Sequence, residues 1–181
     1  MANVNAPNGL VPIRTLDGSC ITTSRYKLAT ANSAIGIGDL VVIASTGRVN
    51  RGAAGAAAGT VVGVAAQKAS ASDGSNANTF KNDILVYDNP MIVYQGQIGT
   101  AGSGTAQTAV GLNIDIADAS PSVGVSQQTL DGSTAAVTAT LPFKILRLYS
   151  AVDNAFGANN RLEVCFNKSI TLGGGDGSTG I

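Results

Sequence analysis

The sequence contains no histidine and no tryptophan. Without imidazole, the Ser-His-Asp and Cys-His nucleophilic mechanisms and the common histidine metal sites are excluded, so an enzyme reading has to rest on carboxylates, Lys, Ser or Tyr. Without tryptophan, a carbohydrate-binding surface lacks its usual stacking ring, and Tyr26, Tyr87, Tyr94 and Tyr149 all lie in strand-like runs that suit core positions. Charge is scarce as well: charged residues are 12% of the chain, and eleven Lys and Arg balance eleven Asp and Glu. The basic residues are scattered rather than clustered, so nucleic-acid binding is not expected. Only two cysteines occur, Cys20 and Cys165, and without histidine they do not furnish a zinc site; they are either two small apolar side chains or a disulfide. No apolar run reaches the ~18 residues that span a bilayer, so no membrane partner is expected. The opening MANVNAPNGLVPIRTL has no basic n-region before Arg14 and no apolar h-region, so a secretory signal is not expected either.

What the sequence does contain is small. Apolar residues make up 44%, aromatics only 4%, and glycine occurs 23 times among many alanines. At roughly 25 cal/mol per Å², Ala and Val remove less area from water than Leu and Phe, so part of the stability is expected from subunit contacts. Short β-branched runs bounded by Gly, Asn, Asp, Ser and Pro recur without helical periodicity. They predict strands at Leu10–Leu16, Cys20–Leu28, Leu40–Ala44, Arg48–Arg51, Val61–Ala66, Ile84–Asp88, Met91–Ile98, Val110–Ile116, Val123–Leu130, Phe143–Ser150 and Arg161–Asn167. Turns at Ser45–Gly47 and Asp88–Met91 make two hairpins, and Ser70–Asn78 and Thr100–Thr105 read as mobile polar loops. The fold expected is all-β: a small β-barrel, β-tulip-like or β-sandwich domain. Its parts are an extended N-terminal arm over 1–12, a β-domain over 13–98, a C-terminal β lobe or a continuation of the same domain over 99–170, and a flexible tail over 171–181. The arm is polar, uncharged and punctuated by Pro7 and Pro12, so it is expected to lie on a neighbour or to have no order.

The carboxylates offer no obvious catalytic pair. Asp17-Gly18, Asp73-Gly74 and Asp131-Gly132 read as turns. Asp115 and Asp118, with Asn113, are close enough in sequence to hold a hard cation, but their spacing is not that of a calcium loop, and no metal is expected. The glycine-rich stretches fail their own tests. Gly52-Ala-Ala-Gly55-Ala-Ala-Ala-Gly59-Thr60 lacks the lysine that neutralises phosphate, and Gly36-Ile37-Gly38 leads into a strand rather than a dinucleotide-binding helix. GAAGAAAG is expected to be a compact connector, small enough to tuck against a neighbouring subunit. No cofactor is expected, and the chain is not expected to be an enzyme.

The order of elements from Asp39 to Ile98 resembles the small β-domain of lambda-type phage head decoration proteins, also called cement or capsid-stabilising proteins. The residues that carry the likeness are LVVIASTGRV, a small-residue loop, TVVGVAAQKAS, a polar loop and DILVYDNPMIVYQGQI. MANVNAPNGLVP and PFKILRLYSAVDNAFGANNRLEVCFN also look like the ends of podophage virion proteins. The resemblance implies a structural protein made in the host cytoplasm and carried on the capsid exterior, a homotrimer bound across adjacent copies of the major capsid protein. It also implies a capsid-contact arm, which falls here on Ala2, Asn3, Val4, Asn5, Ala6, Pro7, Asn8 and Leu10. Residues 100–181 have no counterpart in the lambda type. The alternatives are a carbohydrate- or receptor-binding β-module, or another virion part such as a tail or fibre component.

Overall fold

The computed structural model describes residues 3–29, 34–56, 58–70, 82–167 and 169–172. Ala2 of the arm, most of the Ser70–Asn78 loop and the end of the tail lie outside these residues.

The chain is all-β. Its strands are β1 (Val11–Thr15), β2 (Ser24–Lys27), β3 (Leu40–Ile43), β4 (Val49–Arg51), β5 (Val61–Ala65), β6 (Asp83–Tyr87), β7 (Ile92–Thr100), β8 (Asn113–Ala117), β9 (Thr129–Ala136), β10 (Phe143–Leu148) and β11 (Arg161–Phe166). They form two sheets. One has the order β1-β7-β11-β10-β8-β9, and because the end of β7 also pairs with β9, five of its six strands form a closed ring. The other has the order β2-β6-β5-β3-β4, and its two ends meet at a bridge between Leu28 and Val49. Thr100–Thr105 is not a boundary between sheets, since β7 and β8 on either side belong to the same one. Nor is it a loose loop: Ser103–Thr105 is a 3-10 turn whose buried Gly104 packs on Gly132.

Two cores follow from the two sheets, and β3 and β5 belong to both. Val41, Val62 and Ala65 fill the smaller barrel with Leu28, Ile84 and Val86. Leu40, Val61 and Val64 point the other way, into the larger core. Strands buried on both faces have no polar side to show, which is why LVVI and VVGVA read as unbroken apolar runs. The few aromatics are concentrated in the larger core. Tyr94 meets the edge of Phe166 at 5.4 Å between ring centroids, and Phe143 stacks on Phe166 at 5.1 Å. Each such pair adds about 0.5–1.5 kcal/mol beyond the area it buries.

One predicted strand is displaced. Val123–Leu130 gives only its last two residues to β9, which runs on through Asp131-Gly132 to Ala136. The Asp-Gly pair is a bulge rather than a hairpin turn: Asn113 pairs with Ala136, but Asp115 pairs with Asp131, so β9 carries extra residues at this point. The Asp131 carboxylate accepts from the Ser133 N–H and hydroxyl and holds the bulge in shape. Cys20–Leu28 is also shortened at its start, because within it β6 pairs with Ser24–Lys27.

Candidate functional site

The N-terminal segment runs along its own chain, contrary to the expectation of a free or neighbour-bound arm. Asn3 donates to the carbonyls of Ala155 and Ala158 and accepts from the Ala155 N–H. The Ala6 N–H donates to the Gln97 side chain, which in turn donates to Asn5. Leu10 is buried in the larger core, and Val11 already belongs to β1, so the segment outside the sheets ends before Leu10. Of the proposed contact residues, Asn3, Asn5 and Leu10 are engaged by their own chain, Pro7 is half-buried, Val4, Ala6 and Asn8 are exposed, and Ala2 is outside the described residues.

Asn8 and Leu10 nevertheless help to form the most distinctive surface of the molecule. Just beyond them the chain passes close to Gly38, with the Leu10 N–H donating to the Gly38 carbonyl at 2.9 Å. A side chain on Gly36 would collide with Pro121 and with the backbone at Val125 and Ser126, and one on Gly9 would collide with Ser126. The Gly-Ile-Gly that fails as a nucleotide fingerprint is therefore where three backbone segments cross.

Asp39 sits under the crossing with no exposed surface. It accepts from the Gly36 N–H at 2.7 Å, the Arg51 Nε at 3.0 Å and the Ser126 hydroxyl. Burial raises its pKa above the ordinary carboxylate value, against the lowering effects of Ser126, Gly36 and Arg51. Arg51 also binds Asp118 and the Ala119 carbonyl. Gln128 accepts from the Leu40 N–H and donates to Asp118 and to the Gly52 carbonyl. This polar clasp ties the smaller barrel to the 118–128 segment and fixes what that segment displays.

It displays a short hairpin. Ser122 and Val125 exchange both backbone hydrogen bonds at 2.9 Å, and the two residues between them, Val123 and Gly124, have φ of 51° and 80°. Positive φ at both central positions marks a type I′ turn, for which Asn-Gly is the favoured pair. Valine is a poor choice there: its branched Cβ makes the left-handed region costly, on the order of 1–2 kcal/mol. Val123 is also 97% exposed, so no internal packing offsets that cost. Beside it, Ile37 is 46% and Val125 41% exposed, joined by a parallel bridge. Ile37 and Val125 line a groove of about 390 Å³ together with Asn8, Leu10, Val11, Pro12 and Tyr87. The sequence carried a signal for this hairpin, Val-Gly between Ser and Val, but its β-branched content made it read as strand.

The other sequence candidates are not gathered here. Asn113 donates to the Thr138 carbonyl, Asp115 accepts from the Gly55 N–H at 2.8 Å, and Asp118 faces Arg51, so the three do not share a cation site. No cluster of three or more metal-ligating side chains occurs among the described residues. The loop GAAGAAAG is held by its own chain at Gly52 and Gly55. Cys20 and Cys165 are both free; Cys20 is exposed, whereas Cys165 is buried and its thiol pKa is raised by burial. A thiol reagent is expected to titrate Cys20 rapidly and Cys165 only on unfolding; two fast thiols in the native protein would contradict the burial of β11.

Among the described residues, no helix is long and apolar enough to cross a membrane. No family model, curated protein or solved structure matches the chain.

Proposed function

We propose that this chain is a structural virion protein that decorates a phage capsid, binding the major capsid protein across adjacent subunits without covalent chemistry. Its place is the capsid exterior, as a homotrimer. The observation that carries a binding role is Val123, a β-branched residue held in a costly conformation and left almost wholly in water. Backbone strain of this kind is retained where the surroundings impose it and is concentrated at contact sites. A rigid apolar tip flanked by Ile37 and Val125 suits a shell made of folded subunits, because it enters a preformed hollow with little ordering cost. The low share of charged residues and the zero net charge add to this, since net repulsion then does not oppose close packing of many copies. The choice of a capsid as partner rests on the resemblance of residues 39–98 to decoration proteins.

Val123→Asn separates folding from binding. Asparagine is the residue preferred at this turn position, so the variant is expected to be more stable by about 1 kcal/mol, a rise in Tm of about 2–4 °C. Its co-sedimentation with undecorated heads is expected to fall by tenfold or more, as for loss of a contact anchor of about 1.4 kcal/mol or greater. A stabilised variant that binds heads as wild type does would remove Val123 from the interface.

A further inference from the structure

We propose that Ser19–Arg25 is a pairing strand for a second copy of this chain, joined antiparallel about a two-fold axis at Ile21. The segment has the chemistry of a strand without a partner. Ile21, Thr22 and Thr23 are β-branched and continue β2 upstream, but β6 pairs no further than Ser24 opposite Val86. Leu16 to Arg25 are all exposed, and the backbone groups of Cys20 to Thr23 make no hydrogen bond among the described residues. Sheet edges in monomers are usually blunted by Lys, Pro, inward charge or a covering loop. Gly18 to Ser24 contains none of those residues.

The charges at the two ends decide the partner and the direction. Asp17 stands at one end and Arg25 at the other, with an uncharged run between them. Two copies laid antiparallel with Ile21 on Ile21 set Cys20 opposite Thr22, Ser19 opposite Thr23, and the Asp17 end of each opposite the Arg25 end of the other. A parallel arrangement brings like charges together, which disfavours it. The segment is therefore complementary to itself. Arg25 pairs with Asp83 of its own chain at 3.8 Å and Asp17 accepts from Ser19, yet both residues lie at the surface, so their charges still set the direction in which a second copy is laid. A contact of this kind is isologous, and on an icosahedral lattice it would join neighbouring trimers rather than build one. It forms in solution from the protein alone, so its test does not depend on the capsid reading.

The test uses the full chain and reads the register directly. In Thr22→Cys the new thiol faces Cys20 of the second copy, so mild oxidation is expected to give a covalent dimer at least about tenfold faster than in Thr23→Cys, whose thiol lies on the other side of the ribbon. Equal rates in the two variants, or no cross-linking beyond wild type, would overturn the proposal. Ile21→Lys places two like charges at the axis. It is expected to abolish the two-fold species in light scattering while lowering Tm by no more than a few degrees, as Ile21 is 38% exposed and outside both cores. A wild-type protein lacking that species at high micromolar concentration, or one that keeps it after Ile21→Lys, overturns the proposal equally.

Discussion

Arg51→Met is expected to cost about 3–5 kcal/mol, with Tm lower by about 10 °C or more. The guanidinium, with a side chain only 9% exposed, is the counter-charge of Asp39, whose side chain has no exposure at all. Removing it leaves a carboxylate in the interior with only Gly36 and Ser126 as donors. The Ala119 carbonyl loses its partner at the same time, and Asp118 keeps Gln128 but loses its counter-charge. The loss should depend on pH, and its direction is fixed by linkage. Burial already raises Asp39 above its unfolded value, and removal of Arg51 raises it further. The folded state then holds a proton that the unfolded state releases, so stability falls as pH climbs from the ordinary carboxylate range through the raised folded value. The deficit of the variant is therefore expected to be smaller near pH 4 than at pH 7. Chemical denaturation at the two pH values checks this. A deficit that is equal at both, or greater in acid, would mean that Asp39 is not the group left stranded.

Gly63→Ala should be at least as damaging, though it adds one methyl group to a strand where alanine is ordinarily better than glycine by about 0.5–1 kcal/mol. Gly63 lies within β5, opposite Val41 of β3 and beside the β6 end of the same sheet. A Cβ there would stand inside the van der Waals radius of the Tyr87 carbonyl oxygen and 2.8 Å from Val86 Cγ1. The obstacle is backbone, which cannot swing aside as a side chain would. To admit the methyl group, β5 and β6 must part where Val64 pairs with Tyr87 and Ala65 with Val86. A loss of more than about 3 kcal/mol is expected, with the smaller barrel opened and the protein mostly insoluble. A Gly63→Ala protein melting within a few degrees of wild type would show that the β5–β6 approach is looser than described.

The two sheets were legible in the sequence to different depths. LVVI, VVGVA and RLEVCF announced themselves because burial on one or both faces demands apolar residues at nearly every position. β9 was misplaced because Asp131-Gly132 carries the chemistry of a turn, and only the pairing with β8 decides that the turn is used as a bulge. The N-terminal segment showed its extended character but not its destination. Asn3 binds Ala155 and Ala158, more than 150 residues away in the chain, and nothing local to Asn3 encodes that. Gly36-Ile37-Gly38 could be rejected as a nucleotide fingerprint from the sequence, but that its glycines admit the backbone at Val125, Ser126 and Asn8 could not be read, because those segments are distant in the chain. Val123 was hidden for another reason. Its residue type argues for a strand, and only the observed φ shows that the local preference has been overridden.

The nesting of the two sheets has a consequence for how the molecule is made. Every described strand of the smaller barrel, from β2 to β6, lies in one uninterrupted stretch of chain, while β1 precedes that stretch and, among the described residues, pairs only with β7, which follows it. During synthesis the inner barrel has all its partners before the first strand has any, so local closures come early and the long one is deferred. β1, synthesised before the inner barrel, thus waits for its partner until β7 arrives, and β7 in turn is the strand on which the outer ring closes. Order of emergence and order of docking are reversed at this end of the chain.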